Sequence, residues 1–429
     1  MKQHRLWPRA AAVFALVILA GVPAAAASAK SGPSAASHRV SRSFLKGAQP
    51  MFPSVAPQGA GVGKGFSSHG KNGSSTNNSG IQGVDGILNW TEAAPNAPGF
   101  SYWDTLGTPP TTKGTTNINT PIVPVFVSLK NADGSQAYLI DPTKDVVPEL
   151  HSPVFQRARY SSSPIPTQFT DAVQRAEYFG RESRNWHTEL APSVKAPLTL
   201  NVPWGSWNVA LNTDGSVAAT FVDESAFFAG MFPPTAPVDT STVLGQAELN
   251  GDITTKDLST FLFDNVFLYE GTMANCCILG FHTLDLEPGD ASNGNLLRTY
   301  TMDYESWISP GLFGDAFTDI TALSHEIAET YNDPFVGLAG DNQTPWWLAP
   351  NGVCQNNRET GDVIEGLPDA TFPMTMHGFT YHPQNEALLQ WFEFQQPPSD
   401  AIDGAYSYPN EDVLTGPSPT VPQNPTCGQ

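Results

Sequence analysis

Charge is scarce in this 429-residue chain, and positive charge scarcest. Only 14% of residues are charged, with 21 Lys and Arg against 41 Asp and Glu. A formal net charge of −20 leaves no basic face for nucleic acid and repels anionic membrane surfaces, so neither is an expected partner. Polar neutral side chains must cover the surface instead, because the usual charged share is ~25%. Such a surface limits repulsion as carboxylates titrate and suits an acidic habitat. Long apolar runs are missing too. The run Ala10–Val22 holds 13 residues, and a membrane-spanning helix needs about 20. Cysteine is limited to Cys276, Cys277, Cys354 and Cys427.

What the first residues do contain is an export signal. Lys2, Arg5 and Arg9 precede the apolar run, and Ala27-Ser28-Ala29 after it fits the small-x-small cleavage rule, giving a signal peptide over 1–29. Arg5 and Arg9 are not adjacent, which argues against a twin-arginine signal. Its removal subtracts three positive charges and no acids, taking −20 to −23, and the mature protein is expected to be secreted and extracellular. Residues 30–85 are rich in Gly, Ser, Asn and Ala (GAGVGKGFSSHGKNGSSTNNSG) and read as a disordered linker or propeptide. His38 and His69 within it need no role. Residues 86–429 suffice for a single large domain.

Strand signals dominate the first half of that region. Asn131-Ala132-Asp133-Gly134 and Asn212-Thr213-Asp214-Gly215 each lie between apolar stretches and read as hairpin turns. Further strands are expected at Phe261–Tyr269, Cys277–Leu284 and Leu297–Tyr304, the last a possible substrate-pairing edge or an ordinary sheet strand. Helices are expected at Thr170–Phe179 and Asn385–Phe394. The pattern is α+β, a mixed or antiparallel sheet with a helix packed against it.

That helix, about 319–332, carries the chemistry. Its sequence places His325, Glu326 and Glu329 in the spacing His-Glu-x-x-Glu. Residues at i and i+4 share a helix face, so His325 and Glu329 can converge on one metal ion. Ile320, Leu323, Ile327 and Tyr331 fall on the opposite side and would anchor the helix. Zinc peptidases use such a helix with a second His in place of Glu329, and the Glu beside the first His works on water. A solvated face bearing one His and two Glu is the plainer alternative. Ser324 within the helix and the aromatic-rich surroundings argue for burial, and buried carboxylates need a partner.

Downstream, CQNNRETGDVIEG supplies Glu359, Asp362 and Glu365, of which Glu359 and Asp362 are the leading candidates to complete the site. Asp333 precedes Pro334 and is expected to leave helical geometry. His282 alternates with apolar residues on its strand and reads as core rather than ligand; His187, His377 and His382 are weaker still. The cysteines suit an oxidising compartment, and since sequence neighbours rarely bridge, Cys276 and Cys277 are expected to pair with Cys354 and Cys427. A cysteine metal site is the competing reading.

HEIAETYNDP followed by ETGD resembles the HEIAE…EIGD pattern of the EXORDIUM / phosphate-induced protein 1 family of secreted plant proteins. The chain is also similar to secreted bacterial proteins of uncharacterised function with a zincin-like helix. There, segments like TQFTDAVQRAEYF, CCILGFHT, ALSHEIAE, CQNNRETGD and GFTYHPQNEALLQWF recur in this order, over about Pro121–Ser407. The plant likeness is confined to the helix and the Glu-x-Gly-Asp stretch. The resemblance implies a shared fold and site and supplies no activity.

The expected function is a secreted metal-dependent hydrolase, a metallopeptidase, acting on extracellular protein or peptide. His325 and Glu329 hold the metal, Glu359 or Asp362 adds a third ligand, and Glu326 is the general base towards metal-bound water. Zinc is the default divalent metal, with manganese or calcium open because the donors are oxygen-rich. The alternative is a non-catalytic wall or polysaccharide-binding protein with a structural metal, in which Trp204, Trp207, Trp346 and Trp347 stack on sugars. A third reading is a glycosidase pairing Glu326 with Glu359.

Overall fold

The computed structural model describes residues 38–48, 50–51, 83–93, 102–233, 240–314, 316–336, 338, 347–355 and 357–419. The expected signal peptide, His69, Trp346 and Cys427 lie outside the described residues. The protein mixes helices with parallel and antiparallel strands. Four strands and three helices frame the site: β1 (Gly114–Lys130), β2 (Leu258–Asp264), β3 (Gly280–Glu287) and β4 (Leu297–Trp307), with α1 (Phe169–Glu177), α2 (Val243–Asn250) and α3 (Thr321–Asn332).

In an eight-stranded mixed sheet five strands run in the order β3, β4, β2, β1, Gln136–Ile140, and three more branch off, Val84–Asp85 on β4 and Trp186–Val194 and Leu198–Val202 on β1. β4 is antiparallel to β3 and parallel to β2, and β2 is parallel to β1. Side chains alternate across a strand, and β2 divides accordingly. Leu258 and Leu262 join the core beneath α1 and α3, whereas Phe261 and Phe263 join a second core shared with Val243, Leu244 and Ala247 of α2. On β3 the same alternation sends His282 and Leu284 to one face, and Phe281, Asp285 and Glu287 to the other. Helix α3 lies against β3, β4 and α1, and it adds Leu323, Ile327 and Tyr331 to the first core. All 12 of its residues are buried, so the helix has polar contacts to satisfy on its remaining sides as well.

Both expected hairpins are present, with Gly134 and Gly215 at φ of 82° and 89° in the turns. Two continuous strands read from sequence are each split. Asn265, at φ 51°, ends β2, and Val266–Tyr269 continues in a separate five-stranded sheet. Likewise Cys276–Ile278 belongs to the five-stranded sheet and β3 to the eight-stranded one. An apolar run carries no mark of which sheet it joins, and only the left-handed residue betrays the corner. The expected helix at Asn385–Phe394 shrinks to Leu389–Phe392, preceded by the short strand Glu386–Ala387.

Within the stretch read as linker or propeptide, Arg39–Val40 pairs with Trp207–Leu211, Met51 bridges Ile278, and Val84–Asp85 pairs with β4. Backbone pairing at a sheet edge needs little apolar content, which is why composition alone did not show it. His38 packs its ring against Trp204 and Trp207, at 4.0 and 4.6 Å between centroids.

The expected long-range pairing of the adjacent cysteines is overturned. Cys276 and Cys277 are bonded to each other, across a cis peptide, and Cys354 is disulfide-bonded elsewhere. The adjacent pair is buried with Phe221 and Phe267 on the five-stranded sheet, whereas Cys354 lies on a two-stranded ribbon with Trp347–Leu348. The general rule against bridging neighbours gives way to this separation.

Candidate metal centre

Helix α3 and strands β3 and β4 bring acids and imidazoles to one buried locus. His282 Nδ1 lies 3.4 Å from both Glu326 Oε2 and Glu329 Oε2, and its Nε2 lies 3.6 Å from Glu359 Oε2. On the other side of Glu329, His325 Nε2 is 3.1 Å from Glu329 Oε1 and 3.5 Å from Asp362 Oδ1. Asp303, opposite His282 in the β3–β4 register, accepts a 2.9 Å bond from Thr330 on α3. Glu386 takes a 3.0 Å bond from Thr360. None of the two imidazoles and six carboxylates is more than 4% exposed.

The loop 358–362 is fixed from both ends. Arg358 reaches back to the Asp104 carbonyl and the Thr105 hydroxyl, at 2.9 and 3.0 Å. Gln384 donates to the Gly361 carbonyl at 2.6 Å, while the Gly361 and Asp362 amides donate to Glu329 Oε1 at 3.0 and 3.1 Å. Gly361 is required by close approach: a β-carbon there would sit 2.7 Å from His325 Cε1 and 2.8 Å from its Cγ. Gly280 is comparable, since a β-carbon would meet Glu326 Oε1 at 2.7 Å. Ser324 accepts the Gln384 amide at 2.9 Å, which ties the helix to the same loop system.

Electrostatics follow from burial without enough cations. Burial alone would push the His282 imidazolium down, yet Glu359, Glu326 and Glu329 outweigh it and hold its pKa well above the ordinary value. The same opposition, with Glu329 and Asp362 as the main acids, raises His325. Burial lifts Glu326 to about 7 and Asp362 to about 6, and lifts Glu359 and Glu386 well above their usual range. Glu329 moves down, because His325 and His282 overcome its burial. Protons are one way to neutralise this cluster, and a divalent cation is the other.

The donor set fits a metal ion. One atom each from His282, Glu326 and Glu329 lie within 4.8 Å of one another, as do atoms from His325, Glu329 and Asp362. Both oxygens of Glu359 and Glu326 Oε1 are buried without a hydrogen-bond partner, an arrangement that buried carboxylates avoid unless something else satisfies them. The two triads are not equivalent. Glu329 Oε1 already accepts two amides, and its other oxygen, Oε2, faces the His282 side. A cation there would meet His282, Glu326 and Glu329, while Glu359 lies beside the other imidazole nitrogen, Nε2.

Every site residue singled out from sequence therefore lies in this cluster: His325, Glu326, Glu329, Glu359 and Asp362. Asp333 ends the helix as its C-cap, and Glu365 is outside the triads. His282, read as core, is core and cluster member at once. An ionisable side chain on a fully buried strand face must find a charged partner, and that signal was available for His282 and for Asp303. His187 bonds Asp171 at 2.7 Å in a separate group with Glu189, where Thr167, Arg157 and the Thr188 amide supply donors. His382 bonds Asp319 at 2.7 Å ahead of α3, and His377 lines a surface cavity of about 530 Å³ with Phe155 and Met376. That cavity and a second of about 280 Å³ are lined by no cluster residue. Trp207 and Trp347 are wholly buried.

The chain matches no protein-family model, no curated protein and no solved structure.

Proposed function

We propose that the protein is a secreted metalloprotein whose buried centre holds one divalent cation, zinc by default, through His282, Glu326 and Glu329, with Glu359 completing the set. The observation that carries this reading is the group of buried, donor-free carboxylate oxygens around His282. Closed sites with all-protein ligands serve structure, whereas catalytic sites keep a coordination position open to substrate. The centre joins α3, β3, β4 and the 358–362 loop, so a bound ion would lock the loop onto the sheet. Sugar stacking finds little support, because Trp207 and Trp347 are spent in the core.

Hydrolysis is the second reading, and Glu326 favours it. Its carboxyl follows His325 in a zincin-like helix, has one oxygen without a hydrogen-bond partner and titrates near 7, the range suited to a general base. In that case the ion sits on the His325, Glu329 and Asp362 side, and the protein is a metallopeptidase related to the zincin-like secreted proteins it resembles. Elemental analysis of the purified chain, after chelation and reloading with zinc or manganese, tests the shared premise. A chain that takes up no ion and melts at an unchanged temperature would falsify both readings. Glu326→Gln then separates them: loss of the ion supports the structural centre, and retained ion with lost peptide hydrolysis supports the peptidase.

A further inference from the structure

Strand β3 carries a second acidic group on its opposite face. Asp285 and Glu287, two residues apart, point the same way and meet Glu248 of α2, with one oxygen of each within 4.8 Å of the others. This group lacks nitrogen donors, unlike the cluster around His282. Asp285 and Glu287 are 3% and 7% exposed, and Asp285 Oδ2, Glu287 Oε1 and both Glu248 oxygens have no hydrogen-bond partner. Arg298, paired with Glu287 across β3 and β4, is a neighbouring cation, but its guanidinium bonds go to the Pro288 carbonyl and Asp290 at 3.0 and 2.8 Å. Tyr300, opposite Asp285 in the register, is the other titratable neighbour.

We infer that Glu248, Asp285 and Glu287 form an independent binding site for a hard divalent cation, calcium, which staples α2 to β3. Three carboxylates without nitrogen or sulfur are the donors calcium takes, and water completes its six to eight positions. Glu248 as a residue is only partly buried, although both of its carboxylate oxygens are buried within the group. An alternative satisfies the same oxygens without an ion: Glu248 stays protonated and is shared between the other two acids.

Terbium, a calcium substitute whose emission a neighbouring tyrosine sensitises, distinguishes them on the full chain at pH 7.5. The expected result is terbium emission excited through Tyr300 and displaced by calcium, together with a rise in melting temperature on adding calcium. Glu248→Gln should weaken calcium binding at least about tenfold, and Tyr300→Phe should lose the emission while keeping the calcium-dependent rise. Glu329→Gln, at the other centre, should keep both. Absence of any calcium response in the native chain overturns the proposal in favour of the shared proton. An undiminished calcium response in Glu248→Gln overturns it as well, and because that side chain is half-buried on a short helix, the variant is expected to fold.

Discussion

His282 of β3 and Glu329 of α3 meet at 3.4 Å, Nδ1 to Oε2, inside a protein face where neither can reach water. The contact makes the sheet, and not only the helix, a supplier of the candidate centre. It also divides the work of Glu329, whose second oxygen is held by the loop amides. We predict that His282→Gln lowers bound metal from about one ion per chain to near zero and destabilises the fold. Saturation at 100 times the dissociation constant contributes about 2.7 kcal/mol, so the melting temperature should fall by several degrees. Stoichiometric metal in this variant would place the ion on the His325 side.

The two amides on Glu329 Oε1 make a separate, testable hypothesis about the loop. Removing a buried acceptor leaves its donors unsatisfied at about 1–3 kcal/mol. Glu329→Ala is therefore expected to speed hydrogen exchange at Gly361 and Asp362 by roughly ten- to hundredfold, while amides of β1 stay protected. Unchanged exchange at both positions would mean that the loop is held by Arg358 and Gln384 alone.

Two glycines should behave as packing constraints. Gly361→Ala forces its methyl against the His325 ring, and Gly280→Ala meets Glu326 Oε1 and, at 3.1 Å, the Tyr304 carbonyl. Overpacking of this kind costs about 1–3 kcal/mol. Each is predicted to lower the melting temperature and weaken metal uptake together. A variant of Gly361 that binds metal normally shows that the His325 side is not used.

Stability should also depend on pH through buried acids outside the candidate ligand set. Burial raises Glu149 and Glu177 to about 8 each, with Glu305 beside the first and Arg358 partly offsetting the second. Their folded-state values exceed the unfolded ones, so the folded state binds more protons. The stability they contribute is complete below about pH 4 and is lost as pH rises towards 8, at about 1.4 kcal/mol per unit for each group. The metal-free protein should melt at higher temperature at pH 5 than at pH 8.5. Glu149→Gln with Glu177→Gln should shrink that difference, and an equal difference in the double variant refutes the assignment.

Periodicity made α3 readable: Leu323, Ile327 and Tyr331 recur on one face, and local spacing alone puts His325 and Glu329 on the other. The Asp-Gly turns were equally local. The corners at Asn265 and Leu279 were not, because a single residue redirects the chain between sheets without interrupting its apolar content. Cys276 and Cys277 misled for a related reason. A rule about neighbouring cysteines takes no account of where the third cysteine lies in space.

By itself the sequence determined the helix, the register of its candidate ligands and the acids of the 358–362 loop, since these depend on residues at most a few positions apart. Tertiary structure alone decided that His282 and Asp303 face α3 while Asp285 and Glu287 face α2. Strand alternation fixes which residues share a face, but only packing between elements far apart in the chain decides what each face meets.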